Sequence, residues 1–360
     1  MFWPLLILTI LMMTAWTVEK QIHDKQQKDF LAVIHVNGIR GKTSTCRLLD
    51  AALRSKYRVF TKTTGTDPVW IGTDGLEHPV RRLGPANIRE QLNMLRKAHR
   101  QKAEIVILEC MAVRPELQKI CQEQIVRSKI TVITNIRRDH MFELGETAEE
   151  IAQAFSTTVP RNGTVFTADE QTAQLMWSCC GEKGAKLHLC GTNGSIKGNR
   201  QIALRIAEEL GIPQDQAERN IQANYREDFG AQWRYPLPGG GEFLNLFSVN
   251  DPDSTRSILE GLKSERPFVL LFNHRYDRPD RLLLFCRHFF PFYPEAAIYC
   301  TGQGAYLLCR FLKGRRVTAL RSWQECLDHI PKNSLLVGIG SIKGEGYRMI
   351  QALEKGRLVG

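Results

Sequence analysis

The chain has 360 residues, 43% hydrophobic and 24% charged, a globular balance that excludes extensive disorder beyond residues 1–30 and leaves room for one large or two medium cores. Its ten cysteines (Cys46, Cys110, Cys121, Cys179, Cys180, Cys190, Cys286, Cys300, Cys309 and Cys326) form no C-x-x-C pair, which excludes a zinc-ligand framework and points to free thiols in a reducing compartment. A net charge of +11 suits an anionic partner, and alone it does not choose among a nucleotide, an acidic polymer, nucleic acid and anionic lipid.

Phe2 to Val18 carries no charge and is rich in Leu, Ile and Met. As a helix it spans roughly 26 Å, the short end of what crosses a bilayer. The basic n-region and small-residue cleavage site of a signal peptide are missing, so the expectation is a retained anchor over 1–20. Lys20, Lys25 and Lys28 follow it, and the positive-inside rule places the amino terminus outside and the remaining chain in the cytoplasm. Residues 21–30 read as a polar tether. Leu31 to Val36 is a short apolar run ending at a glycine turn, as in a buried parallel strand, and Thr43 to Leu53 has helical spacing. Strands are predicted at Ile105 to Leu108, Ile130 to Ile133, Thr164 to Phe166 and Leu187 to Leu189, with helices at Asn87 to His99 and Thr147 to Phe155. Asn199 to Leu210 is an amphipathic helix stopped by Gly211 and Pro213. Pro236 to Gly241 (PLPGGG) reads as a linker, beyond which strands recur near Phe243 to Val249, Phe268 to Phe272, Ala297 to Tyr299 and Leu335 to Ile339. The alternation predicts an α/β fold with a mostly parallel sheet in a central domain over 31–240 and a smaller α/β domain over 241–360.

Chemistry concentrates at the strand ends. Gly38-Ile39-Arg40-Gly41-Lys42-Thr43-Ser44 follows a strand and opens a helix, the context in which backbone N–H groups and a helix N-terminus face an anion. Lys42 is expected to bridge the β- and γ-phosphates of a nucleotide and the Thr43 hydroxyl to reach Mg²⁺. The common Walker A string has its first glycine where Val36 stands here, so the loop is the shortened form G-x-x-G-K-[ST]. Glu109 ends the strand IVIL at the carboxyl edge of the sheet, where ligands sit in open α/β folds, and is a candidate for the same Mg²⁺. Thr134-Asn135-Ile136-Arg137-Arg138-Asp139-His140 brings an amide, two guanidiniums, a carboxylate and an imidazole to the end of the strand ITVI. Arg40, inside the loop, is a candidate for a phosphate or an acceptor carboxylate.

Taken in order, GIRGKTST, the strand glutamate, TNIRRDH and the helix GNRQIALRIAEELGI resemble the Mur-ligase-like superfamily, which joins an amine to a carboxylate through an acyl phosphate. The arginine in GIRGKTS, the string VNDPDS and the amino-terminal anchor are most similar to the ligase-subunit family of poly-γ-glutamate synthases (CapB/PgsB type). The resemblance covers about residues 30 to 350 and implies a Mur-ligase-like P-loop ATPase domain, a Rossmann-like carboxy-terminal domain and an amino-terminal transmembrane helix. It further implies that Gly38, Gly41, Lys42 and Ser44 hold ATP phosphates and that Thr43 and Glu109 serve the first Mg²⁺. His140 serves a second metal in a site shaped by Asn135 and Asp139, and Asn199 lies near the adenine. Arg234 and Asp251 close the second domain over the nucleotide, and Thr63, Thr64 and Gly65 face the γ-phosphate. Lys42, His140 and Arg40 form the catalytic set.

The chain departs from the superfamily in two places. The lysine that many Mur-type ligases carry about fifteen residues past the histidine is absent, the neighbourhood reading Ala154-Phe155-Ser156. Only a short anchor precedes the loop, where peptidoglycan ligases carry a substrate domain. The expected activity is ATP-dependent polymerisation of glutamate through its γ-carboxyl, with ATP and Mg²⁺ as cofactors. The expected partners are glutamate, poly-γ-glutamate, the cell membrane and small membrane-protein subunits, with no nucleic acid. The alternatives are a folylpolyglutamate-synthase-like ligase and a membrane-tethered ATP-binding regulator of polymer export.

Overall fold

The computed structural model describes residues 2–65, 67–82, 84–191, 196–227, 233–237, 240–262, 268–312 and 315–355. The chain divides into two compact units, Met1–Asn135 with Ala152–Arg226, and Ile136–Ile151 with Glu227–Gly360. Both are α/β, as the alternation predicts.

The first unit is built on strands β1 (Ala32–Asn37), β2 (Val59–Lys62), β3 (Val69–Ile71), β4 (Glu77–Pro79), β5 (Ile105–Glu109), β6 (Ile130–Ile133), β7 (Thr164–Thr167) and β8 (Lys186–Leu189). They run in the order β4-β3-β2-β5-β1-β6-β7-β8, parallel except for the β2-β3-β4 meander at one edge. β1 lies between β5 and β6, with Val36 opposite Glu109 and Asn37 opposite Ile133. The connection leaving β1 therefore emerges where the strand order reverses, the crevice in which open α/β sheets bind ligands. Both faces are covered. Helix α2 (Lys42–Leu53) and the helices Ile196–Glu209 and Gln214–Asn224 bury Leu49, Ile202, Ile206 and Ile221 on one side. Helix α3 (Arg89–Arg100) and Phe30 close the other over Phe60, Val106 and Leu108.

One polar side chain sits in the middle of this sheet. His35 on β1 is fully buried, and because Gln122 donates its Nε2–H to the Ser128 carbonyl at 3.1 Å, Gln122 Oε1 faces the ring and accepts from His35 Nδ1–H at 2.9 Å. Burial, only partly opposed by Gln122, pushes the imidazole down to about 4. A folded value below the unfolded ~6.5 gives stability that is complete above pH 6.5 and lost as pH falls toward 4. Urea unfolding at pH 4.5 should show a loss of about 2–3 kcal/mol relative to pH 7 from this group. His35→Phe should lack that increment, and equal pH slopes in the two proteins would rule His35 out as its source.

Ahead of the sheet, Phe2–Lys28 is one 27-residue helix, labelled α1. By length and composition the stretch Trp3–Lys28 is apolar enough to cross a membrane. Residues 21–29, expected as a tether, instead continue this helix through Lys28. His23 Nε2 and Gln27 Nε2 both lie on the Ile125 carbonyl, at 2.8 and 3.0 Å, and Arg127 pairs with Asp24 at 2.5 Å. Spacing of i, i+4 puts His23 and Gln27 on one helix face, so a polar sequence gains a docking seam.

The second unit has strands β9 (Arg234–Pro236), β10 (Glu242–Asn245), β11 (Phe268–His274), β12 (Ala297–Gly302), β13 (Val317–Ala319) and β14 (Leu335–Ile339). Their order is β13-β12-β11-β14-β10-β9, all parallel except the antiparallel edge strand β9. Leu270, Phe272, Phe285 and Phe290 pack on one face and Phe243, Leu271, Trp323 and Met349 on the other. Pro236 to Gly241, expected as the linker, falls at the β9-β10 hairpin, with residues 238–239 outside the described set. Pro236 is tolerated there because an edge strand has a side that needs no donor.

Candidate active site

The phosphate loop is shaped by two glycines. Gly38 has φ +123° and Gly41 φ +79°, conformations that favour glycine. A Cβ on Gly38 would lie 2.1 Å from Thr134 Oγ1, and one on Gly41 would lie 2.4 Å from Asn199 Nδ2, so neither position tolerates even alanine. The loop is then pinned from β6. Thr134 Oγ1 donates to the Arg40 carbonyl at 2.5 Å, Arg40 N–H donates to Asn135 Oδ1 at 3.0 Å, and Ile39 N–H donates to the Asn135 carbonyl at 3.1 Å. The backbone around Arg40 is thus held from both sides, which fixes its N–H groups before any anion arrives.

Helix α2 starts from Gly41 with no side-chain cap and no acidic residue in its first turn. The positive dipole end of an uncapped helix favours an anion at this position. Lys42 Nζ lies inside the loop, donating to the carbonyls of Gly38 at 2.6 Å and Ile39 at 3.3 Å. Thr43 Oγ1 donates to Glu109 Oε2 at 2.9 Å, and the same carboxylate oxygen accepts from Thr64 N–H at 2.7 Å. Glu109 is 2% exposed, with its carbonyl tied to Gln91 Nε2. Ser44 follows in the first turn of α2, and Thr63 and Gly65 flank Thr64. Asn199, also 2% exposed, reaches Gly41 from the helix Ile196–Glu209, and its buried Oδ1 has no hydrogen-bond partner among the described residues.

The donor set fits a hard divalent cation at Thr43 and Glu109: one hydroxyl and one carboxylate, with room in the coordination shell for phosphate oxygens and water. Among the described residues no group of three or more His, Cys, Asp and Glu side chains converges, so the protein alone offers no all-protein cage. All ten cysteines are free, and burial pushes Cys110, the thiol next to Glu109, up to about 11, which keeps it from acting as a thiolate nucleophile there.

The segment TNIRRDH is divided. Thr134 and Asn135 belong to the first unit and brace the loop, whereas Asp139 and His140 belong to the second. There Asp139, 1% exposed, pairs with Arg278 at 2.5 Å and Arg281 at 3.3 Å, and Arg278 Nη1 lies 3.2 Å from His140 Nε2. His140 has φ +54°, and burial pushes its imidazole down to about 4, so the ring is neutral and accepts from Arg278. Two guanidiniums around one carboxylate, with the ring nitrogen facing one of them, do not fit a second metal as the unit stands. Arg234 lies on β9, half exposed and paired with Glu242 at 2.8 Å. Asp251 is fully buried and caps the helix Pro252–Gly261 by accepting from Ser254 N–H at 2.8 Å. The glycine-rich turn after β14 is organised by Asn273, whose Nδ2 donates to the Ser341 carbonyl at 2.5 Å and the Lys343 carbonyl at 2.7 Å.

Sequence reasoning passes over Lys62. This lysine ends β2 beside β5, has no exposure, and pairs with Glu90 at 2.7 Å while Nζ contacts Met111 Sδ at 3.6 Å. Glu90 also receives Arg82 at 2.6 Å. Burial raises the Glu90 carboxyl, and Arg82 and Lys62 outweigh it, leaving the group below its ordinary value. The one available signal is a lysine closing the strand VFTK directly ahead of Thr63-Thr64-Gly65.

A shortened phosphate loop at a topological switch point, with a hydroxyl and a carboxylate beside it, defines the nucleotide-dependent ligases of the Mur type, and the Mur ligase middle domain matches residues 36–247. The Poly-gamma-glutamate synthase CapB C-terminal domain matches residues 235–356. Over nearly its whole length the chain is similar to the PGA synthase CapB of Bacillus subtilis (strain 168), at 29% identity over 98% of both chains. It is similar also to the Capsule biosynthesis protein CapB of Bacillus anthracis, at 30% identity over 96% of this chain and 82% of that one. The chain belongs to the CapB family of Mur-type ligases and is an ATP-dependent amide ligase that uses a divalent metal. Among solved structures, a bifunctional folylpolyglutamate synthase/dihydrofolate synthase from Yersinia pestis, complexed with AMPPNP and Mn ion, shares the fold. It aligns with a TM-score of 0.63 and 16% identity over 92% of each chain.

Proposed function

We propose that this protein makes the γ-linked amide bonds of poly-γ-glutamate. The observation that carries the reading is the uncapped start of α2 beside the Thr43–Glu109 pair, in a chain of CapB-family sequence throughout. A glutamate γ-carboxylate oxygen attacks the γ-phosphorus of ATP, the bond to the β-γ bridging oxygen breaks, and ADP leaves. The amine nitrogen of a second glutamate then attacks the acyl carbon, the carbon–oxygen bond to phosphate breaks, inorganic phosphate leaves, and the amine proton passes to solvent.

In this reading Gly38, Gly41 and Ser44 lend loop and helix N–H groups to the phosphates, and Lys42 neutralises charge on the oxygens in transfer. A bound Mg²⁺ supplies further charge neutralisation at those oxygens, and Thr43 and Glu109 are the residues to hold it. Arg40 offers a guanidinium to a phosphate or to the acceptor carboxylate, and Asn199 turns its unpartnered oxygen to the nucleotide. For Arg234, Asp251 and His140 we propose the nucleotide-binding and catalytic roles that the family resemblance implies. We place the amino terminus outside the cell membrane and both units in the cytoplasm, on the strength of Lys20, Lys25 and Lys28, with small membrane-protein subunits as partners.

The test is ATP turnover by the full chain in membranes with its partner subunits, with and without glutamate. Glutamate should raise phosphate release at least about ten-fold and yield γ-linked product. Turnover indifferent to glutamate, with no such product, would overturn the assignment.

A further inference from the structure

The junction of α1 with the first unit carries a second binding site. The uncharged apolar run of α1 ends at Trp16 and Val18, Glu19 is the first charge after it, and Ile22 adds one more exposed apolar side chain a turn further on. Glu19 is also the point at which α3 meets α1. Arg96 Nη2 pairs with it at 2.7 Å and Arg89 Nη2 at 3.2 Å. If residues up to Val18 lie in hydrocarbon, both guanidiniums stand at the depth of the lipid headgroups, one helical turn or less from Trp16, the kind of ring that settles at that interface.

The two helices flank an open cleft of about 630 Å³ whose walls include Met12, Ala15, Trp16, Glu19 and Ile22 on one side and Arg89 and Arg96 on the other. Glu19 engages only Nη2 of each arginine, so among the described residues Nε and Nη1 of both have no protein partner. The surrounding surface is basic. α3 carries Arg89, Arg96, Lys97 and Arg100 against Glu90 as its sole acid, and α1 adds Lys20, Lys25 and Lys28 against Glu19 and Asp24, so the pair of helices keeps a net positive charge. An occupant must therefore be anionic where it meets the guanidiniums and apolar along α1. A soluble polyanion such as an acidic polymer satisfies the first demand and wastes the second.

We infer that the cleft between α1 and α3 binds the phosphate of an anionic phospholipid through Arg89 and Arg96, with the acyl chain laid along α1, clamping the face of the first unit that bears α3 to the inner leaflet. This rests on α1 being a membrane span. A basic side chain near a lipid surface strengthens binding by about fivefold, so the pair confers roughly twenty-fold preference for anionic over zwitterionic lipid.

The full chain, purified in detergent, is titrated with phosphatidylglycerol or phosphatidylcholine and the lipid adducts counted by native mass spectrometry. The expected result is tighter phosphatidylglycerol binding by roughly twenty-fold, reduced to within about twofold in Arg89→Ala/Arg96→Ala and largely kept in Arg89→Lys/Arg96→Lys. Arg89→Glu, at a side chain 69% exposed, repeats the test without risk to folding. Inorganic phosphate at millimolar concentration should not displace the lipid. Equal affinity for the two lipids, a preference unmoved by the variants, or displacement by phosphate or by poly-γ-glutamate at that concentration would each overturn the inference. Carbonate washing of membranes separates the premises: a chain stripped into the supernatant removes the span and the lipid site together, whereas a retained chain without lipid preference removes the lipid site alone.

Discussion

Lys42→Ala lowers ATP turnover by at least about a hundred-fold, the scale on which loss of a single pre-aligned charge or donor acts in a transition state. The ammonium already sits within the loop on the Gly38 and Ile39 carbonyls, so its position is set by the backbone and owes nothing to a flexible search. The loop itself is held by Thr134 and Asn135, independently of the lysine, so the variant should keep its fold and its unfolding midpoint within about 1 kcal/mol of the parent. Lys42→Arg should fail as well, because a planar fork cannot take the place of a compact ammonium between two carbonyls. Steady-state phosphate release, read beside urea unfolding of the same samples, checks both halves. Turnover above one tenth of the parent would show that Lys42 is not the phosphate ligand that matters.

Asp139→Ala acts instead on the stability of the second unit. The carboxylate has a 2% exposed side chain and answers two guanidiniums whose own side chains are 16% and 7% exposed. Burial lowers the pKa of Arg278, and the charges of Asp139 and Asp280 more than offset it, leaving it raised. Removing Asp139 takes a buried carboxylate away from Arg281, which also donates to the Gly340 carbonyl at 3.2 Å, and leaves Arg278 with Asp280. Breaking a buried pair from one side costs about 3–5 kcal/mol. Urea unfolding followed by hydrogen exchange in β11 and β14 should locate the loss there. The double variant Asp139→Ala/Arg278→Ala should recover part of it, and a single-variant cost under 1 kcal/mol would mean that water already screens the cluster.

The phosphate loop was legible in the sequence because its chemistry is local: two glycines at positive φ, a lysine and a threonine within six residues, directly after an apolar strand. Glu109 was legible for a similar reason, as a carboxylate closing a strand of four apolar residues. Lys62 was not, since its burial depends on Glu90, which is 28 residues away on helix α3. Residues 21–29 misled for the same kind of reason. HDKQQK is polar in isolation, and only the Ile125 carbonyl and Arg127, about a hundred residues on, give it a surface to lie against. PLPGGG looked like a break between domains because proline and glycine end elements, and a hairpin at a sheet edge ends one element and starts the next. The split of TNIRRDH had no sequence signal at all. Nothing within seven residues states that Asn135 will serve a loop behind it and Asp139 two arginines ahead of it.

That split has a consequence during synthesis. Asp139 is made 139 residues before Arg278 and 142 before Arg281. At roughly 5–20 residues per second the carboxylate waits on the order of ten seconds for the first of these two guanidiniums. Throughout that interval the loop of the first unit already has Thr134 and Asn135. The phosphate loop is thus braced while residues 136–151 still lack Arg278 and Arg281, and because the second unit is drawn from two separate stretches, no single cut can release it as one continuous piece.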